Sequence, residues 1–221
     1  MRRYVMWFTM LAVVQADPAY AQMTDKQEYR CFSLLAVMPA VAHPDIQKIA
    51  RTKPRAQEVV AKLEQMARDG DGEAQLAMAL LSQSAYCFPQ DQAAARVWMQ
   101  RAAEGGHVKA QHRLGVAHLV GSDQLPVTMR LDVPQDTALG LRWLNMAADA
   151  GNFDSRWVLA QSYETGRSNL KKDEKLAYLW YSVAKASKQA EALAQRMEPS
   201  ELEAAKQLLA KWMKDHSQIA P

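Results

Sequence analysis

The sequence predicts an all-α protein in which antiparallel helix pairs stack into a solenoid. Three observations support this: a recurring Asp, Trp and Ala spacing, an apolar stripe that recurs in step with it, and glycines between the units. The spacing is found at Asp91, Trp98 and Ala102, at Asp136, Trp143 and Ala147, and at Asp173, Trp180 and Ala184. Stacked repeats present an extended curved surface to other molecules, so the pattern favours binding and scaffolding as the class of function.

The first helix of each unit is predicted from the apolar stripe, with starts at Ala74, Ala110 and Ser155. The stripe of the second unit is Ala110, Leu114, Gly115, His118 and Gly121. The matching stripe of the third unit is Ser155, Leu159, Ala160, Tyr163 and Gly166. This spacing puts the positions on one helix face, and the small residue after Leu lets a neighbouring helix approach closely.

The second helix of each unit begins after the repeated Asp. A carboxylate there accepts hydrogen bonds from the unpaired amides of the helix start, so we interpret the three Asp residues as N-caps and not as catalytic groups. The Trp side chain is predicted to pack against the partner helix, and the Ala after it keeps the helix axes close. Gly105, Gly106 and Gly151 are predicted to end these helices, because glycine takes the left-handed conformation at low cost.

Together these residues resemble Sel1-like repeats, which are relatives of tetratricopeptide repeats. The shared pattern is Ala-xxx-Leu-Gly-xx-Tyr-xx-Gly, a loop, Asp, and then Trp-xxx-Ala-Ala with a turn glycine. The resemblance implies a right-handed α-solenoid with helical caps at both ends. It places the repeats over residues 73–108, 109–153 and 154–192.

Two of the units depart from this pattern. Unit one has Met78, Ala79 and Ser82 where Leu, Gly and Tyr are usual, which indicates a degenerate repeat. Unit three has Lys185 and Lys188 in place of the second Ala and the Gly, which indicates the end where the array closes.

Helical caps are predicted on both sides of the repeats, over residues 22–72 and 193–221. Thr24 can cap a helix that ends around Pro39 or His43-Pro44, and the segment from Arg55 to Asp69 looks like the second helix of a worn-out earlier unit. At the other end, Pro199 can open a helix that covers the last repeat. The covering residues would be Leu202, Leu208, Leu209 and Trp212.

Residues 1–21 are predicted to be a secretory signal peptide. Arg2 and Arg3 precede an apolar run from Tyr4 to Val14, and an Ala-x-Ala site places the cleavage after Ala21. A cut after Ala16 is the less favoured choice, and a membrane anchor is disfavoured because a helix needs about 20 apolar residues to span a bilayer. The mature chain is then expected in the periplasm, with no integral membrane span.

Charge and cysteine content fit an exported binding protein. Without the leader the chain keeps 25 basic and 23 acidic residues, a near-neutral balance that gives no support to nucleic-acid binding. Cys31 and Cys87 would both enter an oxidising compartment, where a disulfide is the favoured outcome. Two separate buried thiols remain the alternative, because sequence alone cannot bring the two Cβ atoms within reach.

No set of residues in the chain predicts an enzyme, a metal site or a cofactor site. The histidines His107, His112 and His118 are spaced by five and six residues, which does not place a pair on one helix face. Ser-x-x-Lys begins at Ser168 and at Ser182, but neither companion motif of serine β-lactamases is present. A hydrolase acting on cell wall or β-lactams is therefore the least favoured function.

The partner-binding face is predicted by analogy with tetratricopeptide repeats, in which first-helix residues off the packing stripe line the concave side. Trp157 is the favoured hot spot, because large aromatic side chains dominate interface energetics. Its alternative is contact with the following helix pair. The full predicted set is Glu73, Leu76, Leu80 and Gln83, then Lys109, His112, Val116 and Leu119, then Asp154, Trp157, Gln161 and Glu164.

Unit two also carries an insertion of about eight residues between Gly121 and Asp136. Insertions in repeat arrays map to loops, often on a binding face, and this one is expected to expose Leu125, Val127 and Met129. Neutral variation in loop length is an equally good interpretation.

The favoured function is a periplasmic adaptor or regulator that holds another envelope protein, or a peptide segment, on the concave face. A structural component of an envelope machine is the alternative, because members of the family resembled include a periplasmic part of sodium-driven flagellar motors.

Overall fold

Eleven α-helices carry the fold in a computed structural model, which describes residues 24–36, 38, 43–50, 55–85, 87–126 and 129–217. No strand occurs within these ranges, and the all-α prediction is confirmed. The predicted signal peptide lies outside them. The helices are α1 (Asp25–Leu35), α2 (Pro44–Ala50), α3 (Ala56–Arg68), α4 (Gly72–Gln83), α5 (Gln92–Glu104), α6 (Val108–Val120), α7 (Thr137–Asp149), α8 (Phe153–Thr165), α9 (Glu174–Val183), α10 (Ser187–Ala194) and α11 (Pro199–Asp215).

Consecutive helices pack as pairs, α4 with α5, α6 with α7 and α8 with α9, and each pair stacks on the next. The first helices of the units are therefore α4, α6 and α8, and the second helices are α5, α7 and α9. One apolar core runs through the three pairs to α11, and a second fills the space between α1, α3 and α4. The predicted solenoid of helix pairs is confirmed.

The repeated Asp caps each second helix as predicted. The side chains of Asp91, Asp136 and Asp173 each accept a hydrogen bond from the backbone amide three residues on. The three distances from amide nitrogen to carboxylate oxygen are 2.9, 2.9 and 3.0 Å. These carboxylates are thus committed to the helix starts.

The first helices begin two residues earlier than predicted. Asp71, His107 and Asn152 cap them by accepting from the amides of Ala74, Ala110 and Ser155, the very residues at which the sequence placed the starts. Apolar periodicity marks the first packed residue, whereas the first helical residue is set by the cap, and this explains the offset.

Glycine lets α6 and α7 cross closely. A Cβ atom added at Gly140 would lie 2.6 Å from the backbone nitrogen of Leu119, and one added at Gly115 would lie 2.7 Å from Cγ of Leu144. Gly115 was predicted to allow close approach, and this is confirmed. Gly140 has the tighter surroundings, because it meets backbone atoms that cannot rotate away.

A polar residue early in each first helix ties it to the preceding second helix. The side chains of Gln75, Gln111 and Arg156 occupy equivalent repeat positions, and each donates to a backbone carbonyl eight residues earlier. These carbonyls lie at helix ends, where the last turn lacks intrahelical donors. The buried side-chain donor, an amide or a guanidinium, therefore joins consecutive units, a role that the sequence analysis missed.

The helix ends follow the prediction in units one and two and differ in unit three. Gly106 and Gly151 take φ values of 88° and 92°. In unit three the left-handed residue is Lys185, at φ 55°, three residues before the expected Lys188. Helix α9 accordingly ends at Val183, one turn shorter than α5 and α7.

The predicted disulfide is confirmed, since the sulfur atoms of Cys31 and Cys87 are bonded at 2.07 Å. Both cysteines are buried, and the bond ties α1 to the loop between α4 and α5. Thr24 caps α1 as predicted, although the helix ends at Leu35, before Pro39. The amide of Ala56 also donates to Oε1 of Glu28 on α1, over 3.3 Å.

Helix α11 packs against α9 and covers the end of the array. Trp212 is buried there, and Leu202 and Leu209 pack against the core, as predicted. Leu208 was expected among the covering residues, but it is exposed because it lies on the outer side of the helix.

The insertion in unit two packs part of its apolar side chains into the core instead of exposing them. Leu125 and Leu131 are buried in the main core, and Met129 is half-buried against it. The side-chain amide of Gln83 donates to the carbonyl of Arg130 over 2.6 Å, which holds the insertion on α4. The prediction was wrong for Leu125, whereas Met129 keeps part of its surface exposed and Val127 lies outside the described residues.

Among the described residues, no helix is both long enough and apolar enough to cross a membrane.

Candidate functional site

Several of the predicted groove residues are part of the core. Leu76, Gln83, Val116 and Leu119 are all buried, so the prediction that they line an accessible groove is wrong. The packing of neighbouring first helices explains this, because the side of α6 that carries His112 faces the start of α8. On α4 and α6, the residues predicted to line the groove therefore belong to the packing surface between helices.

The remaining predicted positions reach the surface and stay predictions. Lys109, Asp154 and Gln161 are exposed, and the others are half-buried. The half-buried residues are Glu73, Leu80, His112, Trp157 and Glu164.

His112 joins two first helices. Its Nδ1 atom shares a hydrogen bond of 2.9 Å with the Ser155 hydroxyl at the start of α8. Burial lowers the pKa of His112, nearby Asp154 opposes this, and Arg113 adds to it. The imidazole is therefore held neutral at pH 7, where it can share this hydrogen bond.

Mild acid is expected to destabilise the α6–α8 contact through His112. Because the pKa in the folded state lies below the ordinary 6.5, the stabilisation is complete above pH 6.5 and is lost as the pH falls through the folded pKa. Replacing His112 with Gln keeps a hydrogen-bonding group and removes the titration. Thermal melts of both proteins over a pH series check this: the wild type should lose more stability on acidification, and equal losses would contradict it.

The best-formed candidate surface lies on α8. Phe153, Trp157, Gln161 and Glu164 follow one stripe of this helix, and together with Tyr181 and Arg196 we call them the α8 surface. Phe153 is 54% exposed, and its ring stacks on that of Trp157, with centroids 6.3 Å apart. Trp157 in turn meets Tyr181 edge to face at 5.5 Å. An exposed aromatic ring is thus backed by two fixed ones.

A charged network fixes the other end of this surface. The Tyr181 hydroxyl donates to Oε2 of Glu164 over 2.6 Å, and Nη2 of Arg196 donates to Oε1 of the same carboxylate over 2.5 Å. Burial opposes ionisation of Glu164, but these two hydrogen bonds lower its pKa overall. Burial and the bond to Glu164 raise the pKa of Tyr181. At neutral pH the network is therefore a carboxylate held by two donors.

The α8 stripe is more exposed than the same stripe of the earlier first helices. Leu76 of α4 and Val116 of α6 are buried on it, whereas Phe153 and Gln161 of α8 are exposed. Phe153 was missed in the sequence analysis, although its position four residues before Trp157 places both on one face. Trp157 itself touches Tyr181 on α9, the partner helix of its own unit, whereas the alternative interpretation proposed contact with the following helix pair.

The other residues weighed for chemistry have structural partners. His107 caps α6, and its Nε2 lies 3.1 Å from Glu73, while Nδ1 of His118 donates to the carbonyl of Pro134 over 2.9 Å. The hydroxyl of Ser182 donates to the carbonyl of Tyr178 within α9. In the part of the chain that the structure describes, no three His, Cys, Asp or Glu side chains are grouped to hold a metal ion.

The sequence matches the family model of the Sel1 repeat over residues 72–107, 108–152 and 154–187. These three segments make up more than half of the chain. The protein belongs to the Sel1 repeat family. The recognition made from the Asp, Trp and Ala spacing is confirmed.

Two solved structures are similar to this Sel1 repeat protein. A Sel1 repeat protein from Oxalobacter formigenes is 29% identical, with a TM-score of 0.50, over 69% of this chain and 98% of its own. The protective antigen c5321 of uropathogenic Escherichia coli, which displays an SLR fold, is 20% identical with a TM-score of 0.60. The alignment covers 88% of this chain and 38% of the antigen, and this second likeness concerns the fold alone. No curated protein matches the sequence.

Membership of the Sel1 repeat family indicates the general class of function. Sel1 repeat proteins generally mediate protein–protein interactions, and the fold is typically a scaffold without enzymatic activity. The repeats therefore imply a protein partner.

Proposed function

We propose that this Sel1 repeat protein is a periplasmic adaptor or regulator whose α8 surface holds a segment of a partner protein. The observation that carries the proposal is the exposed ring of Phe153, stacked on Trp157 and backed by Tyr181. Large aromatic side chains that are already fixed lose little conformational entropy on binding, and such residues dominate interface energetics.

The surroundings of Phe153 suit a peptide segment with an apolar anchor and polar flanks. Gln161 is exposed one turn beyond Trp157, and the exposed Asp154 adds a carboxylate beside Phe153. The ionised Glu164 is neutralised by Arg196, so the far end of the surface offers hydrogen bonds without a bare charge. A partner is expected to place one apolar side chain on Phe153 and Trp157.

A periplasmic location is supported by two features. The predicted leader over residues 1–21 directs export, and the bond between Cys31 and Cys87 is of the kind that persists in an oxidising compartment. The partner is then another envelope protein.

Site-specific photocrosslinking in the native envelope tests the proposal. A photoreactive phenylalanine analogue at position 153 should capture a defined partner, because the ring there is exposed. The matched control is the same analogue at Tyr29, which is 75% exposed on α1 and lies outside the α8 surface. A partner captured at 153 and absent at 29 is expected, whereas no product at 153, or the same products at both positions, would sink the proposal.

A further inference from the structure

A second groove lies between the second helices α5 and α7. It encloses about 550 Å³ above a floor that includes Leu114 of α6. Helix α5 contributes Val97 and Glu104 to its walls, and α7 contributes Arg142 and Trp143. Val97 is exposed and Trp143 is half-buried, so apolar surface is open to a ligand here. None of these residues belongs to the α8 surface.

One unit further along the array, the corresponding helices are α7 and α9, and Trp212 of the same chain packs against them. Trp212 of α11 meets Trp180 of α9 edge to face, with centroids 6.2 Å apart. Its indole nitrogen donates to Oδ1 of Asp149 on α7 over 3.3 Å. The guanidinium of Arg156 on α8 lies 5.5 Å from the same ring. Trp212 thus contacts three consecutive helices at once.

The positions that receive Trp212 recur one unit earlier, in the open groove. Trp143 and Trp180 are the repeated tryptophans of α7 and α9, and Glu104 and Asp149 each lie six residues after the repeated Trp of their own helix, α5 or α7. The carboxylate and the indole that receive Trp212 therefore have direct counterparts in Glu104 and Trp143. Both counterparts line the open groove.

Charge distinguishes the open groove from the filled one. Leu179 of α9 is 4% exposed beneath α11, whereas its counterpart in α7 is the exposed Arg142. Arg96 of α5 also lines the open groove. Arg142 forms no ion pair with any of the described residues. Because Arg142 stands where α9 has an apolar residue and Arg96 adds a second guanidinium group, an occupant with carboxylates is favoured over a basic helix.

We propose that the groove between α5 and α7 binds an acidic amphipathic helix of a partner protein through one tryptophan. The indole ring packs against Trp143, and its N–H donates to Glu104, as Trp212 does with Trp180 and Asp149. Carboxylates on the same helix face Arg96 and Arg142. The groove and the α8 surface are then two separate binding sites of one scaffold.

The test uses a defined probe derived from α11. The probe is a synthetic peptide of residues 199–216 in which Lys206 and Lys211 are replaced by Glu, so that it keeps Trp212 and becomes acidic. Titration of the mature protein should shift the indole N–H signal of Trp143, which a Trp143→Phe variant identifies. Calorimetry should show that Arg142→Glu weakens binding about tenfold, as reversal of one interfacial charge predicts.

Matched variants control for general effects of charge and peptide. Arg30→Glu reverses an exposed arginine on α1 and should leave the affinity unchanged. A probe in which Trp212 is replaced by Ala should no longer bind measurably. The Phe153→Ala protein should bind the probe as the wild type does, because the two sites share no residue.

Several results would overturn the proposal. Equal affinity of the probe for the wild type and Arg142→Glu would show that Arg142 does not contribute to binding. An unchanged Trp143 signal at the highest probe concentration would show that the probe does not occupy the groove between α5 and α7. A shift of the Trp157 signal in its place would put the probe on the α8 surface. Self-association that Arg142→Glu abolishes would assign the groove to a second copy of the chain. None of these results would affect the proposal for the α8 surface, which the photocrosslinking experiment at position 153 tests separately.

Discussion

Replacing Cys31 and Cys87 together with alanine is expected to lower the free energy of unfolding by about 4 kcal/mol. The bond joins residues 56 positions apart, and a loop of that length removes considerable entropy from the unfolded chain. For a chain of this size the loss corresponds to a fall in Tm of roughly 10 °C. Calorimetric melting of the oxidised wild type and the double variant measures it.

Two comparisons keep this result specific to the disulfide. The wild type melted in reducing agent should match the double variant, because both lack the bond. Hydrogen exchange should increase first in α1. Without the disulfide, contacts such as the hydrogen bond from the Ala56 amide to Glu28 must hold this helix in place. A change in Tm below about 2 °C would contradict the account, since this is less than the effect of 1 kcal/mol.

Replacing Gly140 with alanine is expected to destabilise the fold by about 1–3 kcal/mol. Helix propensity alone predicts the opposite sign, because alanine is favoured over glycine in a helix by about 1 kcal/mol. The added Cβ would lie 2.6 Å from the nitrogen of Leu119 and 2.9 Å from the carbonyl oxygen of Gly115. Helices α6 and α7 must then separate, and the main core beneath them loosens.

The matched control for Gly140 is Ala138→Gly, on an exposed position of the same helix. Because Ala138 is exposed in the first turn of α7, the substitution loses only helix propensity, and a cost of at most about 1 kcal/mol is expected. Chemical denaturation of the three proteins compares the two effects. If Gly140→Ala raised the denaturant concentration at the unfolding midpoint while Ala138→Gly lowered it, helix propensity would determine both effects. The close contact between α6 and α7 at Gly140 would then not contribute to stability.

The scaffold could be predicted from sequence because its signals are local. The caps at Asp91, Asp136 and Asp173 and the break at Pro199 each act within a few residues of their position in the chain. The disulfide was predictable only as the favoured pairing of two cysteines. The helix starts at Gly72, Val108 and Phe153 were missed by two residues, because packing periodicity and cap chemistry do not begin at the same point.

The candidate site was less predictable because its exposure is set by neighbouring units. Val116 and Leu119 fall on the same stripe as Gln161 and Glu164, yet both are buried, whereas Gln161 is exposed and Glu164 is half-buried. Phe153 could have been added from its spacing to Trp157, but its partnership with Tyr181 needed the packing of α8 on α9.

The insertion of unit two illustrates the same limit. Its apolar residues were interpreted either as a binding loop or as neutral variation in loop length, whereas Leu125 and Leu131 fill the core and Gln83 donates to the carbonyl of Arg130. A short apolar segment has the same composition whether it binds a partner or its own protein. The contact with α4, far away in sequence, decides between them.

Quantitative co-purification from the native envelope tests the central claim, that a partner protein is held on the α8 surface. The mature wild type, Phe153→Ala and the matched exposed-aromatic control Tyr29→Ala are compared after their melting temperatures are shown to agree. The wild type and Tyr29→Ala should recover the same partner, and Phe153→Ala should recover about tenfold less, as loss of an aromatic hot spot predicts. Equal recovery by all three proteins would contradict the claim.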